Sequence, residues 1–115
     1  MLKDDCLFCK IIRGEIPSKK MYEDEEMLIF CDIEPKCKYH YLLVLKDHFA
    51  TFAEMTQQQG EVFAHCLQKL KELETPLHLE NGFRCVINQG EDAGQTVHHL
   101  HVHILAGEKM GWTPA

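Results

Sequence analysis

The stretch HHLHVHIL, residues 98–105, places four of the chain's eight histidines within six residues, interleaved with Leu100, Val102 and Ile104. Apolar and polar residues alternating over this length predict a half-buried strand, because successive side chains of an extended chain point to opposite faces. His99, His101 and His103 then share one face, while Leu100, Val102 and Ile104 share the other and anchor the strand to a core. His98 falls on the apolar face, where a packed, hydrogen-bonded core histidine is expected. A purification tag is excluded, since tags are terminal and uninterrupted. Lys, Thr or Glu would solvate a polar face equally well, so three imidazoles in register on an anchored strand point to chemistry.

Working outward, GEDAGQT (residues 90–96) precedes the strand as a glycine-bearing loop, and FRCVINQ (83–89) precedes that loop as another strand. Thr56 with Gln59 three residues on is a capping-box pattern, opening a helix that carries Val62, Phe63, Cys66, Leu67, Leu70 and Leu73 at helical spacing. That stripe reads as core. HYLLVL (40–45) is a nearly continuous apolar strand. Met27 to Cys31 forms another, after a charged turn at Glu23 to Glu26. Cys6 to Arg13 reads as a short helix stopped by Gly14, with EIPSKK as a turn. Strands joined by hairpins, with one long helix inserted and a short N-terminal helix, predict an α+β domain with a mainly antiparallel sheet.

A chain of 115 residues, 45% hydrophobic, fits one domain spanning 1–115. The net charge of −6 and the lack of any basic cluster beyond short pairs such as Lys19-Lys20 remove the footprint of a nucleic-acid polymer. MLKDDCLFCK has no apolar export signal, and nowhere do about 18 apolar residues run together to span a membrane. The expected location is cytoplasmic. In such a compartment the six cysteines read as buried thiols plus a metal site in preference to a disulfide framework.

His99 and His103 stand about 13 Å apart on a strand rising roughly 3.3 Å per residue, so one tetrahedral ion cannot easily hold both. The triad must divide its labour. Cys6 and Cys9 form a CxxC that suits two thiolates on one zinc, the alternatives being a thioredoxin-like redox pair or two incidental buried cysteines. His48 and His99 are the best remaining ligands for a Cys2His2 site. His101 and His103 are then left facing a cleft, where imidazoles near neutral pH do acid–base or nucleophilic work. Phosphorus is a suitable electrophile, and the loop before the strand offers what a phosphate needs: glycines that admit backbone N–H groups, with Gln95 and Thr96 alongside.

The order His99-Leu100-His101-Val102-His103-Ile104-Leu105 resembles the His-φ-His-φ-His-φ-φ signature of the histidine triad (HIT) superfamily. The blocks DCLFCKIIRGEIPSKKMYEDE (5–25), FCDIEPKCKYHYLLVLKDHF (30–49) and INQGEDAGQTVHHLHVHILAG (87–107), with the late Trp112, are similar in order and spacing to its Hint-like branch. The resemblance implies a HIT-like fold and a homodimeric purine nucleoside phosphoramidase, hydrolysing AMP-amine and AMP-lysine conjugates. By that resemblance His101 takes the place of the nucleophile that forms a nucleotidyl-enzyme, and His103 touches the phosphate oxygens. Asn88, Gln95 and Thr96 complete the phosphate site, with Thr96, where serine is frequent, near the leaving group. Asp32 matches the ribose-binding acid, and Leu7, Phe8, Ile11, Phe30 and Ile33 match the pocket around the purine. Cys6, Cys9, His48 and His99 match a structural zinc site. Trp112 is expected to reach across a twofold dimer into the partner's cleft. Two other readings use the same residues: a dinucleoside polyphosphate hydrolase or nucleotidyltransferase, and a non-catalytic, zinc-stabilised nucleotide-binding protein.

Overall fold

The computed structural model describes residues 1–112; Thr113, Pro114 and Ala115 of the tail lie outside the described residues. The chain runs α1 (Leu7–Ile12), β1 (Lys20–Glu23), β2 (Met27–Cys31), β3 (Tyr39–Leu45), α2 (Gln57–Lys69), β4 (Phe83–Val86) and β5 (His101–Ala106), with short 3-10 turns at Phe52–Glu54, Leu70–Leu73 and Glu91–Ala93. The five strands form one antiparallel sheet in the order β1-β2-β3-β5-β4.

The two runs that lack polar alternation, MLIFC and YHYLLVL, take adjacent inner positions because both their faces are covered. Met27, Ile29, Leu43, Val102 and Ile104 face one way and pack with Cys66, Leu70 and Leu73 from α2 and the turn after it. Leu28, Phe30, Leu42 and Val44 face the other way and pack under Phe8 and Ile11 of α1. Pairing of β3 with β5 sets Val44 opposite His101 and Leu42 opposite His103, so the histidines share the α1 side of the sheet. Burial of these side chains contributes on the order of 1.5–3 kcal/mol each relative to exposure.

Thr56 caps α2 as expected: Gln59 N–H donates to Thr56 Oγ1 at 3.1 Å, and Thr56 N–H donates to Gln59 Oε1 at 2.9 Å. Several expected details differ. Only Cys66 of α2 is fully buried, Leu67 is exposed, and Leu70 and Leu73 are buried from the tighter 3-10 turn. Val62 and Phe63 of α2 pack against the same core while only partly buried. The last strand begins at His101, because Leu100 N–H is drawn off to donate to the Phe49 carbonyl at 2.8 Å. His98 is exposed and lies before the strand, which corrects the expected core position: the alternation that would have turned it inward has not begun there. Strand β4 stops at Val86, short of the expected Gln89. Among the described residues no helix is long and apolar enough to cross a membrane.

Candidate active site and metal centre

A cleft of about 570 Å³ opens on the α1 face of the sheet, a size suited to a small ligand. Its apolar wall comes from Leu7, Phe8 and Ile11 of α1 with Phe30 and Ile33; its polar end holds Asp32, Asn88, Thr96, His101 and His103. Ten of the twelve residues expected around a nucleotide line this cleft, and Gln95 and Trp112 do not. Gln95 is buried behind the cleft, where its Oε1 accepts from Gly90 N–H at 2.8 Å and its Nε2 donates to the Ala50 carbonyl at 2.7 Å. The expectation that its amide faces phosphate is therefore corrected: both ends of that amide hold the loop in shape. Gly90 and Gly94, at φ 86° and 82°, make the loop's left-handed turns without strain, and Gly94 reaches the cleft. Trp112 is 94% exposed and lies outside the cleft of its own chain.

The two cleft histidines are held in opposite tautomers, assigned here from their partners. His101 Nδ1–H donates to the His99 carbonyl at 2.7 Å, which leaves the Nε2 lone pair free. Phe8 meets its ring edge-on at 5.0 Å and limits rotation. For His103 the chain of bonds starts at a backbone amide. Lys36 N–H donates to His40 Nδ1 at 3.0 Å, so neutral His40 carries its proton on Nε2 and donates to His103 Nδ1 at 2.9 Å. His103 must then carry its own proton on Nε2, as a donor. Burial lowers both pKa values; for His103 it acts with repulsion from His101 and His40, against the pull of Asp32, and brings the value to about 4. One imidazole thus offers an electron pair and the other an N–H, both uncharged at neutral pH.

His40 was read in the sequence only as the start of a strand. A signal was present, since a lone polar residue opens an apolar run and shares its parity with Leu42 and Val44 on the triad side. Asp32, with an oxygen 3.4 Å from His40 Nε2, completes a cluster whose ligand atoms could converge on a cation. The Lys36 N–H argues against that use, because it requires a lone pair on His40 Nδ1 and so a proton on Nε2.

Cys6, Cys9, His48 and His99 also converge. Sγ of Cys6 and of Cys9 each lie 3.5 Å from His99 Nδ1, and Cys9 Sγ lies 3.4 Å from His48 Nδ1. Tetrahedral zinc with ordinary bond lengths separates sulfur and nitrogen ligands by about 3.6 Å. The donor set fits the metal in two further respects. His99 Nε2–H donates to the Leu45 carbonyl at 3.0 Å, turning the Nδ1 lone pair toward the sulfurs, and Lys3 and Cys9 N–H groups point at Cys9 and Cys6 Sγ. His99 is fully buried and its pKa falls to about 4, so it remains a neutral ligand. A helix N-terminus places the CxxC, with Cys6 as N-cap of α1.

The chain is similar to known proteins over most of its length. The HIT domain family matches residues 13–110. The chain is 40% identical over 110 residues to the 14 kDa zinc-binding protein of Zea mays, covering 94% of this chain and 86% of that protein. Among solved structures it is similar to a HIT family hydrolase from Legionella pneumophila, at 40% identity and TM-score 0.89, covering 96% of this chain and 100% of the other. It is also similar to the histidine triad nucleotide-binding protein from Candida albicans, at 31% identity and TM-score 0.78, covering 96% and 85%.

Proposed function

The chain belongs to the HIT domain family, and on that premise we propose that it is a nucleotide hydrolase cleaving the P–N bond of purine nucleoside phosphoramidates through a nucleotidyl-histidine intermediate. The observation that carries this reading is the pair of opposed tautomers: His101 Nε2 free as nucleophile, His103 Nε2–H beside it as donor. The relatives named as a hydrolase and as a nucleotide-binding protein support the class of reaction and ligand.

Phosphate oxygens accept from His103 Nε2–H and Asn88, which stabilises the charge that grows on them as the phosphorus is attacked. His101 Nε2 attacks phosphorus, the P–N bond breaks with its electron pair going to nitrogen, and the amine takes a proton relayed from water by the Thr96 hydroxyl. The hydroxide left by that proton transfer then attacks the same phosphorus, the bond to His101 breaks with its electron pair returning to Nε2, and the mononucleotide leaves while imidazole, which has kept its Nδ1 proton throughout, regains its starting tautomer. The purine lies against Leu7, Phe8, Ile11, Phe30 and Ile33, and the ribose hydroxyls bond Asp32. Cys6, Cys9, His48 and His99 would hold a structural zinc that ties the start of α1 to the segment leading into β5, and it would supply rigidity and no step of the reaction. The protein acts as a cytoplasmic homodimer.

Release of amine from an AMP-amine conjugate tests this reading, with a dinucleoside polyphosphate as competitor. Preferential cleavage of the conjugate is expected. Preferential cleavage of the polyphosphate points to the related hydrolase activity, and nucleotide binding without turnover to a binding protein.

A further inference from the structure

Among the described residues, Ser18 Oγ is a buried side-chain oxygen with no hydrogen-bond partner. Such orphans are rare in native structures, because removing a hydroxyl from water without replacing its bonds is unfavourable. Its position is informative. Ser18 lines the cleft whose apolar wall includes Phe8, Ile11 and Phe30, with its oxygen turned away from solvent. Its backbone is also fixed: Lys20 pairs with Phe30 and the Lys19 carbonyl accepts from Cys31 N–H at 3.0 Å. Continuing that antiparallel register sets Ser18 opposite Asp32, beside the position assigned to the ribose.

We propose that Ser18 reads the base, its hydroxyl bonding a polar atom on the edge of the purine ring. The inference rests on the nucleotide reading given above and deepens it. A wall of Phe8, Ile11 and Phe30 grips any flat ring through contact area, and such surfaces discriminate weakly among similar rings. A hydroxyl placed in that wall is both donor and acceptor and turns about a single χ1 bond, so it reaches the ligand without backbone movement. The orphan oxygen then gains its partner when the nucleotide arrives, and rings lacking that partner leave it unpaired.

The test compares wild type with Ser18→Ala by calorimetry, using AMP, its 1-deaza, 3-deaza and 7-deaza analogues, and purine riboside 5′-monophosphate. Wild type is expected to bind one analogue about tenfold more weakly than AMP, ~1.4 kcal/mol. Ser18→Ala is expected to bind AMP as weakly as that analogue and to lose the distinction between the two. Without ligand, the variant should unfold at an equal or higher temperature, since an unpaired hydroxyl has been removed. The proposal is overturned if wild type binds all analogues like AMP, if the variant keeps wild-type ratios across the set, or if the ligand-free variant unfolds at a lower temperature. Failure of wild type to bind any purine monophosphate is a separate result that overturns the nucleotide reading itself.

Discussion

At the residue scale, the site depends on which nitrogen of each imidazole carries a proton, and a single backbone amide, Lys36 N–H, sets this for His40 and through it for His103. His40→Ala should lower kcat about tenfold while changing KM less, because His103 loses the partner that aims its N–H at the reacting phosphate. Steady-state kinetics on an AMP-amine conjugate checks this; an unchanged kcat removes the relay. The pKa of His103, about 4, lies below the ordinary 6.5 because of burial and its histidine neighbours. The unfolded chain therefore takes a proton first as pH falls through 6.5, and the stability due to neutral His103 is lost progressively between 6.5 and about 4. The His103 ring resonances in NMR should titrate near 4 in wild type and nearer 6.5 in His40→Ala; a wild-type midpoint at 6.5 contradicts the burial argument. His99, His101 and His103 were legible from alternation alone. For His40 the parity of the apolar run marks only the face, while its contact with His103 arises from pairing between β3 and β5, which local pattern does not record. Gln95 is ambiguous for a related reason: an amide beside a glycine loop looks alike in sequence whether it faces a ligand or, as here, the loop's own backbone.

At the scale of elements, local chemistry was read well and strand limits less so. The capping box of α2, the glycine stop of α1 and the apolar runs of β2 and β3 all carry their signals within a few residues. The start of β5 depends instead on Phe49 capturing the Leu100 N–H, a contact across 51 residues of chain. Helix α1 has six residues, too short to persist alone, and it is held by Phe8 and Ile11 in the core and by the Cys/His cluster at its N-terminus. A metal bound there stabilises the folded state alone. Elemental analysis should therefore find close to one zinc per chain, and Cys9→Ser should lose the metal and at least about 5 °C in Tm. Metal-free protein of wild-type stability would return Cys6 and Cys9 to incidental burial.

At the scale of the whole molecule, β4 is an edge strand whose Phe83 is exposed, and Phe52 and Leu67 are exposed as well. An exposed phenylalanine on an open strand edge suits pairing with a second copy. Phe83→Asp should shift a dimer toward monomer in light scattering; an unchanged mass places the interface elsewhere. Trp112, 94% exposed in the isolated chain, is the group such a dimer would cover. If Trp112 reaches the partner's cleft, as expected from the sequence, removing residues 110–115 leaves the dimer intact and alters the ranking of several AMP-amine substrates. An unchanged ranking reduces Trp112 to surface packing. The proposed hydrolysis rests on covalent attachment at His101. Rapid acid-free quenching of the protein with an AMP-amine conjugate, followed by intact-mass measurement, should show a nucleotidyl adduct in wild type and none in His101→Gly, which still binds AMP within about tenfold of wild type. Amine release with full activity in His101→Gly, or turnover by wild type with the adduct mapped to another residue, would contradict the account.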